Sequence, residues 1–118
     1  MRIVDREDFM AMPEGTLFHR IDKHGTAKGL LVKWKTISND GANFDWYEQD
    51  FDTIDAEDCW EEYDRRGKMM MEGKSYPLSS IIGRDGLFDK EQLFLVMEKD
   101  DVRLIKESVD YAWNVVND

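Results

Sequence analysis

Residues 40–64 read DGANFDWYEQDFDTIDAEDCWEEYD. Eleven of them are Asp or Glu and none is Lys or Arg, while six are aromatic: Phe44, Trp46, Tyr47, Phe51, Trp60 and Tyr63. Two periodicities meet in this stretch. Phe44 and Trp46 alternate with polar residues and share one face, as a strand over 44–49 requires. From Asp55 the spacing lengthens. Ala56, Cys59, Trp60 and Tyr63 fall on a single helical stripe, with Glu57, Asp58, Glu61, Glu62 and Asp64 turned to water. The pattern predicts a helix over 55–66 whose stripe is buried. Arg65 and Arg66 in its last turn complement the helix dipole, and Gly67 is the natural residue to end it.

Upstream, Ile3 and Val4 form a short apolar run. Asp5 then has the character of an N-cap for a helix through Met12, with Glu7 and Asp8 in the first turn. Pro13 and Gly15 end that helix. Thr16 to Asp22 reads as a strand with Leu17, His19 and Ile21 on one face and Phe18, Arg20 and Asp22 on the other. After the turn KHGTAKG, Leu30 to Ser38 reads as its hairpin partner, placing Val32, Trp34 and Thr36 on one side and Lys33 and Lys35 on the other. Asn39-Asp40-Gly41 supplies the next turn.

Downstream, GKMMMEGKSYP at 67–77 lacks periodicity and reads as a loop. Leu78 to Ile82 fits a strand and Arg84-Asp85-Gly86 a turn. Gln92 to Glu98 contains LFLVM, apolar on both faces, and so belongs in the middle of a sheet. Asp100 or Asp101 caps a closing helix to about Val116. Its core-facing stripe is Val102, Ile105, Val109, Ala112, Trp113 and Val116, broadened by Leu104, Tyr111 and Val115. The expected architecture is a single α+β domain over 1–118, with an antiparallel sheet of about four or five strands packed by two main helices.

Composition narrows the function classes. With 26 acidic and 16 basic residues the net charge is −10, the wrong sign for non-specific binding to nucleic acid or to an anionic membrane. Cys59 is the only cysteine, so an intramolecular disulfide is excluded and a reducing cytoplasm is the expected setting. The charged start MRIVDREDF has no apolar signal segment, and no apolar run approaches the length of a membrane span.

Catalytic and metal signatures are weak. DGLFDKEQLF at 85–94 superficially resembles a calcium loop, but aligning Gly86 with the loop glycine puts Ile81 and Gln92 at ligand positions. His19, Asp22 and His24 do not match a zinc spacing. Cys59 paired with either histidine is the sole thiol–base combination, and its place on a helix stripe makes it a packing residue first. There is no Walker loop, no G-x-G-x-x-G and no G-x-S-x-G. No metal, cofactor or enzymatic reaction is indicated.

Two surface sets remain. An acidic face of Asp45, Glu48, Glu57, Asp58, Glu61, Glu62 and Asp64 would attract a basic protein partner through long-range electrostatics, its carboxylates mimicking phosphates. A basic set of Lys33, Lys35, Arg65, Arg66 and Lys68, beside Trp46 or Tyr47, would grip a phosphorylated small ligand by charge and stacking.

The run RIVDREDFMAMPEGTLF, through Ile3, Phe9, Pro13, Gly15, Thr16 and Phe18, resembles the opening of small accessory proteins encoded by tailed phages and prophages. RDGLFDKEQLFLVMEKDDV at 84–102 is similar to the other block shared by that group. The resemblance covers about a third of the chain and leaves out the acidic middle. It implies a phage accessory protein in the bacterial host cytoplasm, of a kind that often inhibits host defence. The leading expectation is therefore a non-enzymatic inhibitor that binds a host protein through the acidic face. The alternative is a homo-oligomeric protein that sequesters a nucleotide signal through the basic set.

Overall fold

Asp5 stops the first strand and starts a helix, because its carboxylate accepts the amide of Asp8 at 2.8 Å and satisfies one orphan donor of the first turn. In the computed structural model, which describes residues 1–116, this follows β1 (Arg2–Val4) and opens α1 (Arg6–Met10). The chain continues through β2 (Leu17–Ile21), β3 (Ala27–Asn39), β4 (Ala42–Asp50), α2 (Cys59–Glu72), β5 (Gly83–Arg84), β6 (Leu93–Val96) and α3 (Lys99–Val116). The strands form one antiparallel sheet in the order β1-β6-β2-β3-β4-β5. The fold is α+β, with six strands where four or five were expected.

The 84–102 segment returns to the start of the chain. Its strand β6 inserts between β1 and β2, pairing Val4 with Phe94 on one side and Phe18 with Val96 on the other. Such an interior strand should be apolar, and Phe94 and Val96 are buried. The core is a cluster of rings under α1. Phe9, Phe18, Trp46 and Phe94 are each fully buried. Phe9 lies at its centre, 4.2 Å from the Phe94 ring centre, 4.5 Å from that of Phe18 and 4.9 Å from that of Trp46. Tilted and offset rings at these distances add to the gain from area buried.

The turn after β3 confirms its sequence signature. Asp40 and Gly41 both have positive φ, 51° and 79°, the backbone a two-residue hairpin turn needs to match the strands' twist. Within β3 the register shifts between Lys33 and Thr36. That bulge corrects the alternation read from the sequence. Lys33 points inward and is fully buried, with Nζ donating to Thr36 Oγ1 and to the carbonyl of Trp34. Thr36 in turn donates to the carbonyl of Met10 at 2.9 Å.

The helices differ most from expectation. α2 starts at Cys59, with Asp58 as its N-cap, and runs through Gly67 to Glu72, where Gly73 closes it at φ +68°. Three i,i+4 ion pairs brace it, Glu61–Arg65, Glu62–Arg66 and Asp64–Lys68, and the last of them spans the glycine. Methionine has good helix propensity, so Met69 to Met71 continue the helix where a loop was expected. The predicted stripe is present but not buried. Cys59 is exposed, and Trp60 and Tyr63 are each 79% exposed. α3 likewise buries no residue, with Val109 and Val116 open to solvent. Leu78 forms only an isolated bridge to Ile54, and the strand falls instead at Gly83–Arg84.

Candidate functional site

α1 carries Arg6, Phe9 and Met10 on one side at i, i+3, i+4 spacing, and all three are buried. Phe9 and Met10 enter the core, while Arg6 extends across its edge. One of its terminal nitrogens donates to Asp85 Oδ2 at 3.0 Å and the other to the carbonyl of Phe44 at 3.0 Å. Its guanidinium lies 4.6 Å from the Trp46 ring centre and 5.8 Å from that of Phe88, within reach of the attraction between a cation and a ring face.

Asp85 is shared. Its second oxygen accepts from Arg20, which also makes a two-pronged contact with Glu48 at 2.8 and 2.5 Å. Trp46 Nε1 adds a hydrogen bond to Glu48 at 3.0 Å. Burial pushes the Asp85 carboxyl up, but the hydrogen bonds from Arg6 and Arg20 outweigh it and hold Asp85 below the usual carboxylate range. Burial likewise works against the Arg20 charge, and the Glu48 and Asp85 carboxylates more than restore it. Next to this network, fully buried Asp45 accepts from Arg84 at 2.9 and 3.0 Å and from the amide of Gly86. These bonds fix the start of the loop that carries Phe88.

Above Arg6 opens a cleft of about 680 Å³. Its walls include Phe44 and Phe88, its floor Met10 and Arg6, and its rim Asn43, Lys90, Asp5 and Glu7. Phe88 is half exposed and holds φ at +53°. A bulky residue rarely adopts this backbone, and such outliers concentrate at ligand clamps and other functional positions. The cleft combines two apolar rings, a guanidinium that is already paired, the ammonium of Lys90 and two rim carboxylates. With the Arg6 charge already met by Asp85, Lys90 stands against Asp5 and Glu7, and the opening is slightly acidic.

Neither residue set singled out in the sequence comes together. Of the acidic set, Asp45 and Glu48 lie inside the ion network rather than on the surface. Glu57, Asp58, Glu61, Glu62 and Asp64 do gather on α2 and its lead-in, but Asp58 caps the helix and the last three pair with its own bases. Of the basic set, Lys33 and Trp46 are buried. Burial also pushes the Lys33 ammonium below the usual lysine range, only partly opposed by Glu14. Tyr47 pairs across from Arg84 and Lys35 is an exposed residue of β3.

Arg65, Arg66 and Lys68 belong to α2. Arg65 clamps the base of that segment: it donates to the carbonyl of Asp55, and its guanidinium sits 4.9 Å from the Tyr76 ring centre. Two backbone bonds complete the stem, Asp55 to Pro77 and Ser79 to Thr53, each 2.8 Å.

His19 Nδ1 contacts the carbonyl of Lys28, and Asp22 accepts the amides of His24 and Thr26 in its own turn. Those amides hold Asp22 below the usual range. No group of three metal-ligating side chains gathers among the described residues.

The cleft residues were not singled out from sequence. Arg6 had a usable signal, since a base on the same helical stripe as Phe9 and Met10 must either be paired or open to a cavity. Phe88 had none. No protein family, curated protein or solved structure matches this chain. No helix among the described residues is long and apolar enough to cross a membrane.

Proposed function

We propose that the protein is a binding protein that sequesters a small planar heteroaromatic ligand, such as a nucleoside or a singly charged mononucleotide, in the Arg6–Phe44–Phe88 cleft. The observation that carries this reading is Phe88, a half-exposed ring with a positive φ that lines the cleft with Phe44 and lies 5.8 Å from the Arg6 guanidinium. The volume is in the range of small-molecule sites. Rings on two walls favour a flat ligand, Lys90 supplies one positive charge, and the carboxylates of Asp5 and Glu7 can accept from exocyclic amino groups. With a slightly acidic rim on a chain of net charge −10, polyphosphates are disfavoured.

The two segments that resemble phage accessory proteins supply most of this cleft, Asp5, Arg6, Glu7 and Met10 from one and Phe88 and Lys90 from the other. That supports placing the protein among such accessory proteins, with sequestration of a host nucleotide signal as its role. This reading shifts the ligand from the basic set around Arg65 and Arg66 to the cleft beside α1.

Thermal melting against nucleosides, cyclic and linear mononucleotides and triphosphates tests it. Ligand at 100 times its Kd stabilises by about 2.7 kcal/mol, a shift of several degrees for a domain of this size. The expected order is nucleoside or mononucleotide above triphosphate, with the shift lost in Phe88→Ala and Phe44→Ala. A flat response across the panel, or a shift that survives both substitutions, contradicts the assignment.

A further inference from the structure

The chain exposes more surface than a monomer of its mass. Its accessible area is 8695 Å² at 13.9 kDa, whereas a folded monomer of that mass has about 6,700 Å². The excess of about 2,000 Å² per chain exceeds the roughly 800 Å² that each partner buries in a standard interface, and it falls in the range of obligate oligomers. The radius of gyration, 16.4 Å, is likewise above the roughly 13.5 Å of a compact chain this long.

More than half of the exposed large apolar side chains are on α2 and α3. On α2, Trp60, Tyr63, Gly67 and Met70 follow a 3-4-3 spacing, the a/d seam of paired helices, and Trp60, Tyr63 and Met70 are 79%, 79% and 84% exposed. A hollow of about 300 Å³ lies over Gly67 between Tyr63 and Met71, the space a side chain from a facing helix would fill. On α3, Val102, Val109 and Val116 repeat every seven residues and are all exposed.

Charge identifies the occupant. Residues 57–64 hold five acids and no base, whereas 65–74 hold four bases and one acid. A second α2 running antiparallel sets the acidic half of each helix against the basic half of the other. A parallel mate would set like against like. We propose that α2 pairs antiparallel with α2 of a second copy of this chain, about a two-fold axis level with Arg65 that sets Trp60 against Met70 and Tyr63 against the hollow over Gly67, and that the α3 stripe is covered in the same homo-oligomer. The pairing does not depend on the ligand cleft, which lies on other elements.

Light scattering of the full chain over a concentration series, combined with oxidative cross-linking, tests this. The expected mass is a multiple of 13.9 kDa that falls to a single copy in Trp60→Glu/Met70→Glu, a variant whose altered side chains are open to solvent and whose circular dichroism should stay folded. In this antiparallel pair the two Cys59 thiols sit at opposite ends, about 18 Å apart along the axis for twelve residues of helix. Wild type should therefore give no cross-link, and Cys59→Ser/Tyr63→Cys/Gly67→Cys should give one between position 63 of one copy and position 67 of the other; a Cβ at position 67 meets nothing within 4 Å in the single chain.

A single copy at every concentration overturns the proposal, and so does an oligomer indifferent to the double Glu substitution. A wild-type Cys59 cross-link overturns the antiparallel register. A single copy that binds phosphatidylcholine vesicles assigns the faces to a bilayer instead.

Discussion

α1 and α2 show opposite uses of an amphipathic helix. α1 has five residues and buries three of them, with Phe9 at the centre of four packed rings. α2 has fourteen residues and α3 eighteen, yet neither buries any. A short helix with almost no intrinsic stability is held by packing, because helix formation this short is unfavourable alone. A long helix laced by three i,i+4 ion pairs persists while its stripe faces solvent. The stripe therefore records that a helix will be covered, but not by which molecule.

The largest expected effect lies on the buried side of this comparison. Phe9→Ala should lower stability by about 3–5 kcal/mol, since it empties the middle of the ring cluster. Trp60→Ala, measured on the dissociated chain, should stay within about 0.5 kcal/mol of wild type. Urea denaturation of both variants at low concentration checks the contrast, and equal losses would erase it.

Next in size is the ion network beneath the cleft. Asp85→Asn removes the carboxylate shared by Arg6 and Arg20 and leaves two largely buried cations short of a partner, at a cost of about 3 kcal/mol. The same group sets an acid limit. The folded-state pKa of Asp85 lies below its unfolded value, so its contribution is fully present above the ordinary Asp range near 4. It is lost as pH falls through the lower folded value. Wild type should lose stability over that acid interval, and Asp85→Asn should lose less over the same interval. Parallel acid profiles for the two would contradict this.

A smaller effect belongs to Lys33. Its ammonium is buried with only a hydroxyl and a carbonyl as partners, and its pKa is depressed by burial. The unfolded chain thus binds the proton more tightly, and wild-type stability should rise with pH between the folded value and the ordinary lysine value near 10.4. Lys33→Met should match or exceed wild-type stability at neutral pH and flatten that alkaline rise. A large loss on substitution would mean that the ammonium stabilises the bulge.

How far the fold was legible follows the same division. Asp5, Asp40-Gly41 and the LFLVM run all act as their residue types dictate, because caps, tight turns and interior strands are set by a few neighbouring atoms. The β3 bulge was not legible, since a one-residue insertion brings Lys33 and Thr36 to the same face without altering composition. Gly67 was misread as a stop because nothing local weighs its flexibility against the Asp64–Lys68 ion pair that spans it. The cleft depends on Arg6 meeting Asp85 and Phe88 from about eighty residues away, a juxtaposition that no spacing rule encodes.

Hydrogen exchange read by mass spectrometry at two protein concentrations tests the division most directly. Amides of α1, β2, β3, β4 and β6 should be slow at both concentrations. Those of α2 and α3 should exchange quickly in dilute protein and slow markedly when it is concentrated. Protection of α2 and α3 equal to that of the sheet at the lowest concentration would show that the chain buries its own helices, and would contradict the account.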